Sequence, residues 1–178
     1  SIPEDQLGIS LMDFVLWFAV VGGVLALLYG LFGPSQTQSR SQSLLSELEM
    51  MQTSIRGAYN AQPTGYTGIS DAEVITSHAY PTSLSANGTT LMSSYAGQVT
   101  IDSEDGNGQS FSIAYAAVPS GVCQTIISKL ASGGGWTDIS IAGTSIWSGT
   151  AAIPTKSAID SACSPSGTSS VAMKFTSD

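Results

Sequence analysis

The chain's 178 residues suffice for one head domain and one membrane helix, since single domains run to about 100–150 residues. Thirteen acidic against five basic residues leave a net charge of −8, and the bases, Arg40, Arg56, Lys129, Lys156 and Lys174, are scattered. This excludes the clustered Lys and Arg with which proteins neutralise phosphates, so no nucleic-acid partner is expected.

The first predicted element is an apolar run from Ile9 to Phe32 in which Asp13 is the one charged residue. As a helix the run spans about 36 Å, enough to cross a hydrocarbon core of about 30 Å. An acid inside such a segment costs roughly 2.5–3.5 kcal/mol on insertion scales, so it marks a pairing or transport role and not filler. No Lys, Arg or His lies between Ser1 and Gln38, so a partner for Asp13 comes from another chain or from an α-amino terminus. Ser1 to Gly8 carries Glu4 and Asp5 but no base, and the run is too long for the core of a secretory signal; a removable signal is not expected. Pro3 suits a first helical position, with Glu4 and Asp5 favourably placed against the helix dipole.

At Gly33-Pro34 a kink or interruption is expected, because proline lacks an N–H and clashes with the preceding turn. Beyond it Leu44, Leu48, Met51, Ile55 and Ala58/Tyr59 recur at steps of three and four, the pattern of an amphipathic helix, with Ser, Gln, Glu and Arg on its other face. This helix is expected to end between Gly57 and Pro63.

The remainder alternates short elements. Asp71 to His78 reads as a short helix, and Gln98 to Asp102 with Gln109 to Ala116 as strands joined by a turn-rich link. Pro119 to Ala131 reads as a helix, Thr137 to Ala142 with Thr144 to Ser148 as a hairpin, Thr155 to Cys163 as a short helix and Val171 to Thr176 as a closing strand. The expected fold class is α+β: a long N-terminal helix, apolar in front and amphipathic behind, packed on an antiparallel sheet head. The expected divisions are residues 1–34, 35–60 and 61–178: extension or leader remnant plus apolar helix, amphipathic helix, and head. Cys123 and Cys163 enclose a long loop in a Ser/Thr/Gly-rich region, as in a domain that matures in an oxidising compartment. A bridge between them would contribute up to roughly 4 kcal/mol; a pair of free thiols is the alternative.

Catalytic and metal chemistry have little support, and neither enzyme activity nor a cofactor is expected. His78 is the one histidine, and no G-x-S-x-G elbow occurs. Asp102, Glu104, Asp105, Gly106 and Asn107 crowd together but lack the spacing and closing Glu of a calcium loop. Trp136 and Trp147 are expected to pack on the sheet in preference to binding a sugar. Asn87-Gly88-Thr89 satisfies the glycosylation sequon and is read as a chance match.

The segment Gly8-Ile9-Ser10-Leu11-Met12-Asp13-Phe14, followed by an uncharged stretch and a polar amphipathic continuation, resembles the processing site and N-terminal helix of type IV pilins. Pilins of this kind are cleaved after a glycine, begin with a hydrophobic residue and carry an acid at the fifth mature position; counted from Ile9, Asp13 is fifth. Ser41-Gln42, Glu47, Ile55, Gly57 and Tyr59 extend the resemblance toward the type IVb class, as do the paired cysteines and a last strand after the second one. The nearest relatives by this reading are the bundle-forming, toxin-coregulated and conjugative-plasmid thin-pilus pilins. Two departures stand out: the family's acid is usually Glu, and Ser1 to Gly8 lacks the bases of a leader. Either Ser1 to Gly8 is leader, or processing precedes Ser1 and Asp5 is the fifth residue of an extended terminus.

The resemblance implies a major pilin that polymerises with copies of itself into an extracellular filament used for attachment, aggregation or mating. It implies an inner-membrane stage, and as partners a prepilin peptidase, an assembly platform, an outer-membrane secretin and a minor tip pilin. It gives Asp13 the role of pairing with a neighbour's terminal amine, with Gly8 and Ile9 as the processing site. Gly22, Gly23, Gly30, Gly33 and Pro34 form a zone of low helix propensity, read either as a site of local melting on assembly or as close packing in the membrane. The alternatives are a minor pilin or pseudopilin of a pilus or type II secretion system, and a single-span membrane-tethered binding or adhesion domain.

Overall fold

The structure, a computed structural model, describes the backbone of residues 11–94 and 97–178 and the side chains of residues 15–27, 36–94 and 97–178. The chain divides into two compact units, Ser1–Gln36 and Thr37–Asp178. Helix α1, Leu11–Tyr59, contributes to both. It continues through Gly33-Pro34, where the sequence predicts a kink or interruption. A proline removes one backbone donor, and here that loss does not end the helix.

In the second unit α1 supplies one side of the core. Leu44, Leu48, Met51 and Ile55 are completely buried and Tyr59 nearly so, whereas Ala58 is exposed. The polar face departs from expectation at Ser41 and Glu47, both buried. Glu47 lies three residues after Leu44 and four before Met51, so it sits on the shoulder of the packed stripe. Ser41 satisfies its hydroxyl by donating to the Thr37 carbonyl one turn back, at 2.7 Å.

The sheet consists of β1 (Ser85–Asn87), β2 (Thr90–Ser93), β3 (Gly97–Ser103), β4 (Phe111–Pro119), β5 (Asp138–Ile141), β6 (Thr144–Ser148) and β7 (Ser170–Ser177). Its order is β1-β2-β3-β4-β7-β5-β6, and every pairing is antiparallel. The closing strand β7 therefore lies between β4 and β5 and joins the two halves of the sheet. Alternation sends Val99, Ile101, Phe111, Ile113, Tyr115, Met173 and Phe175 into the core, while Asp102, Ala116 and Ala172 face solvent. The β1–β2 hairpin was not expected; Asn87 pairs with Thr90 across a two-residue link whose Gly88 takes φ 64°.

Helix α2, Asp71–Thr76, is capped by Ser70 and hooked to the sheet where the Ile101 N–H donates to Asp71 Oδ1 at 2.6 Å. Helix α3, Ser120–Gly133, buries Val122, Cys123, Ile126, Ile127 and Leu130, again at steps of three and four. Helix α4, Lys156–Cys163, is capped by Thr155. Cys123 and Cys163 form a disulfide, with Cα atoms 5.7 Å apart, that ties the first turn of α3 to the last residue of α4. The fold is α+β: an N-terminal helix packed on a seven-stranded antiparallel sheet, with a disulfide-bounded C-terminal region.

Candidate functional site

The described part of the apolar run shows why it needs company. Val15, Leu16, Trp17, Phe18, Leu25 and Leu27 are each more than half exposed, and four of them are consecutive, so every side of the helix is apolar there. A helix hydrophobic all round is stable when lipid or other protein covers it, at roughly 25 cal/mol for each Å² removed from water. Among the described residues no helix is long and apolar enough to cross a membrane. Among the described residues nothing lies within 4 Å of a Cβ added at Gly22 or Gly23, so none of them demands a small residue there.

Asp13, Gly30, Gly33 and Pro34 lie in α1, but their side-chain surroundings fall outside the described residues. Gly8 and Ile9 fall outside them altogether.

In the second unit, Glu47 is 4 % exposed and its Oε2 accepts from the Tyr115 hydroxyl at 3.2 Å. Burial pushes this carboxyl above the ordinary glutamate range, partly offset by hydrogen bonds from the Ser83 and Tyr115 side chains. Beside it opens a groove of about 460 Å³ between α1 and residues 81–83, lined by Met50 and Pro81 together with Ser, Thr and Gln side chains, and by no base. Sequence reasoning placed Glu47 on the solvent face; its offsets from Leu44 and Met51 carried the signal.

The lower end of α1 is fastened to the close of β7. Gln52 Nε2 donates to Ser177 Oγ at 2.9 Å, and Arg56 donates to Ser177 Oγ at 2.9 Å and to the Asp178 carbonyl at 2.7 Å.

The other residues singled out by sequence have structural employment. His78 is exposed, with Nδ1 3.2 Å from the Thr76 carbonyl oxygen. Asp105 Oδ1 accepts from the Asn107 and Gln109 amides at 3.2 and 3.3 Å, closing the β3–β4 turn. Glu104 takes Lys174 at 2.8 Å, which holds its carboxyl below the usual range. Trp136 is buried edge-on against Phe175 with ring centroids 5.8 Å apart, and buried Trp147 donates from Nε1 to the Ala151 carbonyl at 3.1 Å. Both indoles are therefore part of the head's packing.

A protein-family model, PilS N terminal, matches residues 38–177, well over half of the chain. Among solved structures the chain is similar to the crystal structure of the type IVb pilin from Salmonella typhi, at 23% identity and a TM-score of 0.55, covering 73% of this chain and 96% of that one. It is also similar to the NMR structure of the type IVb pilin PilS from Salmonella typhi, at 23% identity and a TM-score of 0.51, covering 76% and 94%. At that identity the likeness to solved structures is one of fold. No curated protein matches the chain.

Proposed function

The chain belongs to the PilS family of type IVb pilins, and on that footing we propose that it is a major pilin whose N-terminal helix drives polymerisation into an extracellular pilus. The observation that carries the proposal is the uncovered apolar surface from Val15 to Leu27, on a chain whose second unit, Thr37–Asp178, already has a complete core of its own. In the filament, copies of this helix pack together and replace lipid as one another's apolar surroundings. Asp13 of an incoming subunit pairs with the terminal amine of a neighbour. That pairing offsets the burial of both charges and sets the axial register. Gly22 and Gly23, with nothing among the described residues within 4 Å of an added Cβ, let another helix approach closely or let α1 loosen as it enters the bundle.

The same proposal includes an inner-membrane stage, cleavage between Gly8 and Ile9 by a prepilin peptidase, and passage through an assembly platform and secretin. The pilus then serves attachment, aggregation or conjugative mating. Negative-stain microscopy of material sheared from cells tests the reading. Thin filaments composed mainly of this chain are expected. Chain confined to the membrane fraction, or present in filaments only at trace level, would contradict a major pilin and favour a minor one or a tethered single domain.

A further inference from the structure

A chain of net charge −8 that packs against copies of itself must place its few cations with care. Four of the five have employment within the chain. Lys156 pairs with Asp160, Lys174 with Glu104, Arg56 binds the end of β7, and Arg40 has an interaction of its own. Lys129 stands exposed on α3; its carbonyl accepts from the Ser132 hydroxyl, but its ammonium group makes no hydrogen bond or ion pair among the described residues.

The acids sort in the same way. Glu104, Asp160, Asp105 and Asp71 are taken up by ion pairs or backbone amides, and Asp138 accepts from Ser140 and Ser145. Glu49, Glu73 and Asp102 are exposed, where an ion pair gains little against solvation. Glu47 is different: it is nine-tenths buried, its partners are the neutral hydroxyls of Tyr115 and Ser83, and an open groove lies beside it. The groove's other walls, Ser39, Gln42, Ser43 and Thr82, carry oxygens that can take the remaining protons of an ammonium group. At that site an incoming cation meets a carboxylate in a low-dielectric setting, where its attraction is greatest.

We propose that the groove over Glu47 receives a cationic side chain from a neighbouring copy in the filament, and that Lys129 supplies it. The inference rests on the pilus reading given above. It identifies a second, head-level contact, separate from the apolar helix bundle. A lysine suits the geometry, because a compact ammonium on a long apolar stem can reach down a groove whose floor is a carboxylate. The contact also gives a reason for keeping a buried carboxyl on the packed side of α1, where an apolar residue would stabilise the head better.

The test uses full-length chain in cells and filaments sheared from them, grown as a mixture of unlabelled and ¹⁵N-labelled subunits. Carbodiimide, which joins amines to carboxylates in direct contact, should yield a Lys129–Glu47 cross-linked peptide containing one labelled and one unlabelled half. Glu47→Gln keeps the partners Tyr115 and Ser83, so the thermal transition of the detergent-extracted protein should be unchanged or raised. Filament yield should nevertheless fall by about tenfold or more, as should that of Lys129→Gln, and the double variant should be no worse than either single one. Lys129 cross-linked only to other carboxylates, normal filament yield from Glu47→Gln, or defects that multiply in the double variant would each overturn the pairing. If Glu47→Gln failed to fold, the cross-link in wild-type filaments would still decide. Absence of wild-type filaments would overturn the pilus reading itself, a result distinct from filaments that form without this cross-link.

Discussion

Gly65 and Gly108 meet backbone to backbone: the Tyr66 N–H donates to the Gly108 carbonyl at 2.8 Å, and a Cβ on Gly65 would run into that same carbonyl oxygen. Gly108 is hemmed in from the other side by the Thr64 carbonyl and Thr67, and both glycines have positive φ, +57° and +72°. The contact pins the β3–β4 turn to the loop that follows α1, so the end of the long helix and the tip of the central hairpin are positioned together.

Gly108→Ala therefore combines backbone strain with a collision against backbone atoms that cannot move aside, and should cost about 3 kcal/mol or more. Gly68, at φ +84° with open space around it, is the control; its alanine variant should lose only about 1 kcal/mol. Chemical denaturation of the two variants checks the ordering, and equal losses would mean that the close approach is not rigid.

The head depends on α1 for its core. A fragment beginning at Thr37 should fold cooperatively and stay monomeric, since Leu44, Leu48, Met51 and Ile55 are retained. A fragment beginning at Gln62 exposes the inner face of β3, β4 and β7 and should aggregate. An equally sharp thermal transition from the shorter fragment would contradict the packing described.

The Cys123–Cys163 bridge closes a sequence separation of 40 residues. Its removal by paired serine substitution should cost up to roughly 4 kcal/mol, and more of that loss should come from α3 and α4 than from the sheet. Hydrogen exchange of the two helices against β3 and β4 measures the distribution. Uniform loosening of the head would show that the staple acts globally.

The folded head holds the Glu47 proton more tightly than the unfolded chain does, because burial raises that carboxyl. The corresponding stability is fully present below the ordinary glutamate value of about 4.3 and is lost as pH rises through the higher folded value. Asp71 adds a contribution of the same sign, raised chiefly by burial, whereas Glu104, lowered chiefly by Lys174, acts in the opposite direction. Comparing wild type with Glu47→Gln separates Glu47 from both: the variant's advantage should grow with pH from about 4 upward and then level off. A difference independent of pH would mean that Glu47 is as well solvated folded as unfolded.

Much of this architecture was legible because it follows from local periodicity. The spacing of Leu44, Leu48, Met51 and Ile55 fixed the packed face of α1, and the alternation in Phe111 to Tyr115 and Val171 to Phe175 identified the central strands. What escaped was of three kinds. The strand order, with β7 inserted between β4 and β5, depends on pairings between residues far apart in the chain, which no local pattern encodes. The β1–β2 hairpin did carry a signal, Asn87-Gly88, but its strands are three and four residues long and β1 is exposed throughout, so no alternation accompanied the turn. Glu47 escaped because a carboxylate is assigned to solvent by its chemistry, while its position on the helix assigns it to the core.

The central claim, that the N-terminal helix drives polymerisation, is tested most directly by Asp13. Asp13→Ala removes a costly charge from an apolar segment, so membrane insertion and head folding should survive. Filament assembly should collapse, because the neighbour's terminal amine would enter the bundle without a counter-charge, at a cost of about 3–5 kcal/mol. Asp13→Glu keeps the charge and should retain much of the assembly. The measurement is the ratio of sheared surface filament to chain in the membrane fraction for wild type and both variants. The account predicts a steep fall for Asp13→Ala alone; a wild-type ratio from Asp13→Ala would contradict it.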